Sequence, residues 1–255
     1  MDIIMSASFN TARESENQYH EQFYKENKLF EDGSWMSRPT PLVMELLERL
    51  LQYTPAPRVL DLACGVGRHA IPVAQKLEQG GEVVGVDLLE DAIKQLQQYA
   101  SEYEVSDRVQ AIVGDVEHYE IEPEQFDYMI ATGCLEHVSS PQALHDVLQR
   151  MQAGTRMGGI HFISMTSSVQ QVDQQNGNAE EGNIELNLDT TQLLELLESE
   201  YEGWNIIARK AVAQAIEENK DDREIELQGN WVTFAASKQP PSNEPKLLQQ
   251  DEQTG

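Results

Sequence analysis

"VLDLACGVGRHA", Val59 to Ala70, is the stretch on which the reading of this chain turns. An apolar run carrying one acid, Asp61, stops at Cys64-Gly65-Val66-Gly67, and a helix-like pattern then begins. A strand passing through a glycine turn into a helix N-terminus brings backbone N–H groups up to a ligand. Gly65, Gly67 and Ala70 also fit the G-x-G-x-x-A spacing of dinucleotide-binding turns. Spacing alone therefore leaves two ligand classes open, a pyrophosphate or something of opposite charge.

Outward from the turn, short apolar runs alternate with amphipathic ones. Strands are predicted at 58–63, 82–87, 109–115, 126–133 and 158–165, and helices at 68–77, 90–103 and 140–151. Before them, "TPLVMELLERLLQY" reads as a helix, with Thr40 as cap, Pro41 in the first turn, and Leu42, Leu46 and Leu50 along a face. After them come a helix at 191–200 and two further strands, 204–215 and 230–238, paired antiparallel across an acidic connection. Such alternation predicts an α/β fold, a Rossmann-like doubly wound seven-stranded sheet. It is mostly parallel, with one antiparallel strand near the C-terminal end. Residues 1–39 form an aromatic and polar lid segment, in which Tyr19, Phe23 and Phe30 could share a helix side. Residues 40–238 form the main domain, with a mobile Gln/Asn-rich loop at about 166–190, and 239–255 reads as a disordered tail.

Bulk properties narrow the function. Of 255 residues, 44 are acidic and 18 basic, a net charge of −26, and no basic stripe exists, so a nucleic-acid partner is not expected. No run of about 18 apolar residues occurs, so no membrane partner is expected either. The N-terminus has no signal-peptide pattern, and Cys64 and Cys134 have no metal-ligand spacing. Both cysteines read as reduced thiols in a cytoplasmic protein, and no metal site is expected.

Charge also separates the two ligand classes. Three strands carry a carboxylate to one edge of the sheet, Asp61, Asp87 and Asp115. Pyrophosphate close to Asp61 would meet like charge, whereas S-adenosylmethionine (SAM) brings a sulfonium and an ammonium against a single carboxylate. The acid-lined edge favours SAM, with an NAD(P)-dependent oxidoreductase as the alternative.

"VLDLACGVGRHAIPVA" resembles the first motif of class I SAM-dependent methyltransferases, and "VVGVDLLEDAIKQLQ", "VQAIVGDVEHY" and "FDYMIATGCLEHV" are similar to the next three, in order, across about 40–165. The likeness is to the small-molecule branch, and loosely to the tellurite-resistance methyltransferases. It implies methyl transfer by direct in-line displacement to a small acceptor, or a SAM-binding scaffold without turnover. It implies that Asp61, Ala63, Gly65 and Gly67 shape the methionine end, with Cys64 in a packing position. Asp87 would hold the ribose, Leu88 would pack on the adenine, and Asp115 and Val116 would meet the adenine edge. Thr132, Gly133 and Cys134 would pass beneath the sulfonium. His137 in "LEHV" is the candidate acid–base residue, with Glu136 orienting it or solvated, and Tyr19, Tyr24, Trp35 and Arg38 are candidates for the lid over the acceptor.

Overall fold

A computed structural model describes residues 7–78, 80–175, 177–182, 184–220 and 223–238. The expected tail at 239–255 lies outside the described residues. The elements run α1 (Ala7–Glu26), α2 (Pro41–Leu51), β1 (Arg58–Leu62), α3 (Ala70–Lys76), β2 (Glu82–Asp87), α4 (Glu90–Glu102), β3 (Val109–Val113) and β4 (Phe126–Thr132). They continue with α5 (Pro141–Gly154), β5 (Thr155–Asp173), β6 (Ala179–Glu181), α6 (Thr190–Glu200), β7 (Asn205–Lys220) and β8 (Arg223–Ser237). Short 3-10 turns lie at Trp35–Ser37 and Leu135–His137.

The sheet order is β3-β2-β1-β4-β5-β8-β7. β1, β2, β3, β4 and β5 pair in parallel, and β8 runs antiparallel to both β5 and β7. The path of seven strands with one reversed is the expected one, but β6 adds an eighth, antiparallel to the far end of β5.

Central strands bury both faces, so their residues alternate between two cores. Val59, Val83, Tyr128 and Ile130 pack with α2, α3 and α4. Leu60, Leu62, Val84, Val86, Met129 and Ala131 pack with α5 and α6. Apolar residues at every position are what a parallel sheet covered on both faces requires. Beneath α5 and α6, one polar chain is fully paired. His161 Nε2 meets Thr155 Oγ1 at 2.5 Å and its Nδ1 meets Tyr201 Oη at 2.6 Å, while burial and the Lys238 charge push its pKa down to about 3, so it is neutral.

Three local expectations change. The first part of the stretch expected as loop at 166–190 is strand, since β5 continues to Asp173 opposite β8, across a register shift between Ser167 and Gln170, while most of the described residues in 174–189 remain without regular structure. Its polar composition reflects a sheet extending past the helical layers, where backbone pairing persists without apolar cover. Asn187 fixes the irregular segment, accepting from Val169 N at 2.8 Å and donating to Val169 O at 2.9 Å. Thr40 takes the N-cap position of α2 as expected, but its hydroxyl makes no capping bond and meets His69 Nε2 at 3.1 Å instead. Phe30 lies beyond α1, at positive φ, against Tyr103, whereas Tyr19 and Phe23 do stack within the helix.

Gly67 is glycine for packing. Its φ is +105°, and a Cβ there would sit 2.7 Å from Leu96 Cδ1 and 2.9 Å from Ile71 Cγ1. Gly67→Ala should therefore destabilise the fold by about 2–4 kcal/mol, combining left-handed strain with overpacking. Urea unfolding measures this, and an unchanged midpoint would refute the packing role.

Candidate functional site

The C-terminal ends of β1, β2, β3 and β4 open on one cavity of about 150 Å³. Small for a ligand pocket by about a factor of two or more, it is narrowed by α1, which lies across its mouth. Arg13, Glu16, Asn17, His20 and Tyr24 from that helix all line it. Their spacing of three and four residues puts them on one helix face.

The turn after β1 is held by an unusual run of backbone. Ala63, Gly65 and Gly67 have φ of +53°, +52° and +105°. Asp87 Oδ2 accepts from Gly65 N at 2.8 Å, and its Oδ1 accepts from Leu89 N at 2.9 Å. Thus the residue expected to hold a ribose also ties the end of β2 to the glycine turn. Burial raises its pKa, against the two N–H donors and His20. Tyr24 closes the turn from above, its hydroxyl 2.6 Å from where a Gly65 Cβ would be.

Asp61 does not line the cavity. It is buried beneath the turn, accepting from Ala70 N, and Oδ2 has no hydrogen-bond partner among the described residues. Burial and the Asp87 charge outweigh that hydrogen bond and Arg68, raising its pKa to about 8. Without a nearby cation the acid is therefore mostly protonated at neutral pH. Gly67 also lies outside the lining.

Ala63, Cys64, Gly65, Asp87, Leu88, Asp115, Val116, Thr132, Gly133, Cys134 and His137 do line the cavity together. Asp115 is engaged by the chain itself, with Arg13 Nη2 donating to Oδ2 at 2.7 Å and Glu117 N to Oδ1 at 2.9 Å. Thr132 Oγ1 is buried without a partner. Cys64 and Cys134 are buried, and burial and nearby carboxylates push both thiols well up, so neither is a nucleophile.

His137 is not placed as a neutral base. Its Nδ1 lies 2.7 Å from Glu185 Oε2 and its Nε2 3.6 Å from Glu16 Oε1. Burial disfavours its charge, but the Glu185 hydrogen bond and the charges of Glu136, Glu16 and Glu185 raise its pKa to about 9. An imidazolium results at neutral pH. Glu136 is buried rather than solvated, its Oε1 accepting from Thr166 N at 2.8 Å and Thr166 Oγ1 at 2.9 Å.

Of the lid candidates, Tyr24 and Trp35 line the cavity, whereas Tyr19 and Arg38 do not. Tyr19 points along α1 toward Phe23, and the Arg38 carbonyl accepts from Arg68 Nε at 2.8 Å. Sequence reading missed Arg13, Glu16, His20, Arg68, Glu117 and Glu185. For the α1 residues the signal was present, in polar residues at helical spacing ahead of Tyr24. Glu185 lay hidden in an acidic run.

Acids dominate the cavity wall. Glu16, Asp87, Asp115, Glu117 and Glu185 face it with two guanidinium groups, one of which is taken by Asp115.

Residues 59–159 match the family described as "Methyltransferase domain". A demethylmenaquinone methyltransferase from Lactiplantibacillus plantarum is 33% identical over 100 residues, 39% of this chain and 42% of the relative. The chain therefore spans less than half the length of that curated relative. Among solved structures, TehB from Haemophilus influenzae superposes with a TM-score of 0.53 at 16% identity, covering 78% of this chain and 64% of that one. A phosphoethanolamine N-methyltransferase 1 from Haemonchus contortus, in complex with phosphoethanolamine and S-adenosylhomocysteine, superposes at 0.52 with 13% identity, over 94% of this chain and 51% of that one. The glycine turn, the strand-end acids and these matches converge on residues 59–159, which are similar to methyltransferase domains, and the chain shares its fold with solved methyltransferase structures.

Proposed function

We propose that the chain binds SAM at the β1–β4 edge and transfers its methyl group to a small molecule, acting in the cytoplasm. The observation that carries this reading is the charge of the cavity: acids brought from α1 and from the ends of successive strands surround the glycine turn. The buried oxygen of Thr132 on the cavity wall, which has no partner among the described residues, fits the polar methionine end of such a donor, and Asp61 lies beneath the turn behind it. SAM supplies an activated methyl on a leaving thioether, so the residues of this chain need only bind, align and exclude water.

In this reading Asp87 contributes its remaining lone pairs to the ribose, and the Val66 backbone meets the methionine carboxylate while the Gly65 N–H stays with Asp87. Asp115 meets the adenine amino group after Arg13 lets go. Because Arg13 holds that carboxylate and α1 narrows the cavity, α1 is a lid that lifts for entry and closes again over the acceptor. His137, as an imidazolium, donates a hydrogen bond to Glu185 and pairs by charge with Glu16. No basic role is required of it at neutral pH.

Calorimetry with SAM and NADH tests the whole reading. SAM should bind and NADH should not; the reverse result refutes it. A cationic ligand above the turn lowers the Asp61 pKa from about 8, so SAM binding at pH 7 should release close to one proton. Binding enthalpies in buffers of different ionisation heat report that proton, which should vanish at pH 10.

Two substitutions follow. In the ligand-free chain, the raised Asp61 pKa means that the folded form holds a proton that the unfolded form releases, so stability falls as pH rises between the two values. Asp61→Asn removes this loss. Its stabilising effect should therefore be larger at pH 8 than at pH 5, growing by at most about 1.4 kcal/mol per pH unit. Melting curves at both pH values decide it, and a pH-independent difference counts against the buried-proton account. Arg13→Ala frees Asp115 and should tighten SAM about twofold to fivefold, the worth of a partly exposed ion pair. Weaker binding instead would make Arg13 a cofactor contact.

A further inference from the structure

The acceptor end of the cavity has a chemistry of its own. Glu185 is 1% exposed at the side chain, yet it lines the cavity. One of its oxygens is held by His137, while Oε1 is buried with no hydrogen-bond partner among the described residues. Across the imidazole, Glu16 Oε1 lies 3.6 Å from His137 Nε2 and 2.9 Å from His20 Nε2. Two carboxylates thus flank one imidazolium, and Glu136 lies directly behind with a second unpartnered buried oxygen, Oε2. The facing wall is aromatic. His20 lies 5.4 Å from Tyr24 and 6.0 Å from Trp35, ring to ring, and all three line the cavity.

A buried carboxylate oxygen without a donor is costly unless a ligand supplies one. Surplus negative charge excludes carboxylate and phosphate acceptors, and a π-faced wall attracts cations. We propose that Glu185, with Glu16 and the aromatic wall of His20, Tyr24 and Trp35, forms an acceptor subsite for an amine that enters as its ammonium ion. This rests on the methyl-transfer reading above. In the reaction the ammonium gives one proton to Glu185 Oε1, and the freed nitrogen lone pair attacks the donor methyl. An N–C bond forms as the C–S bond breaks, and its electron pair leaves on sulfur. The product is a methylated ammonium, and the Glu185 proton passes to solvent.

Benzylamine, benzyl alcohol and benzoate share one shape and differ in charge. Calorimetry on the full chain saturated with S-adenosylhomocysteine should show benzylamine binding at least tenfold tighter than the other two. Glu185→Gln should erase that preference while leaving S-adenosylhomocysteine affinity within twofold. Glu16→Gln, on a more exposed side chain, should reduce it severalfold and serves if the first variant fails to fold. Labelled SAM should convert benzylamine to its N-methyl product in the wild type.

Equal or tighter binding of benzoate, no binding of benzylamine, or an amine preference that survives both substitutions overturns the inference. If S-adenosylhomocysteine binds and the amine does not, only the acceptor assignment falls. If S-adenosylhomocysteine itself does not bind, the cofactor reading falls and takes this one with it.

Discussion

The hydrogen bond from Gly65 N to Asp87 Oδ2, at 2.8 Å, is the constraint on which the site depends. A turn in which Ala63, Gly65 and Gly67 all have positive φ is not stable by itself, and Ala63 in particular carries backbone strain. The bond fixes the end of β1 to the end of its parallel neighbour β2, and Cys64 N adds a second tie to Val86 O at 3.0 Å. Once these are made, Val66, Arg68 and His69 at the entry to α3 lie along the cavity wall. The same carboxylate that stabilises the turn also lines the cavity. Loss of Asp87 would consequently perturb fold and binding together, so affinity alone cannot apportion its effect.

Electrostatics at this edge runs against stability. Asp61, Asp87 and Glu136 are all buried with raised pKa values, and burial is the main cause in each case. A protein selected for stability alone would replace such groups with apolar ones. Their retention makes sense if a cation completes the arrangement, because a positive ligand lowers all three pKa values at once. The site is then most stable when loaded. The charge argument made from sequence needs one amendment: in the empty site Asp61 is largely neutral, so repulsion of a pyrophosphate comes from the ionised acids on the cavity wall.

Much of this was legible in the sequence, for identifiable reasons. Alternating buried runs fixed the order of β1 to β5, because a sheet covered on both faces tolerates few polar residues. The strand-end acids were visible as single charges closing apolar runs. What was hidden were contacts between segments remote in sequence. The continuation of β5 through "TSSVQQVD" has no apolar period, since its stability comes from pairing with β8 rather than from a core. Likewise, Gly67 matches a ligand-binding spacing, yet its space is filled by Leu96 from α4, 29 positions on. Glu185 sits in an acidic stretch that reads as solvated surface, and only the fold carries it to His137.

His137 shows how such a remote contact inverts chemistry. An isolated imidazole near neutrality is a natural base, and its place beside the fourth strand invites that role. Three carboxylates around it, from α1, the adjacent Glu136 and the segment before α6, favour the charged form strongly enough to overcome burial. With its proton held to about pH 9, the imidazolium can organise an acceptor but not deprotonate it. Direct displacement at a sulfonium carbon tolerates this, since the leaving group needs no acid and a bound amine needs only a nearby carboxylate. In the proposed amine methylation the proton-accepting function would pass from the imidazole to the Glu185 oxygen beside it, and the histidine's contribution would be the fixed position of that carboxylate.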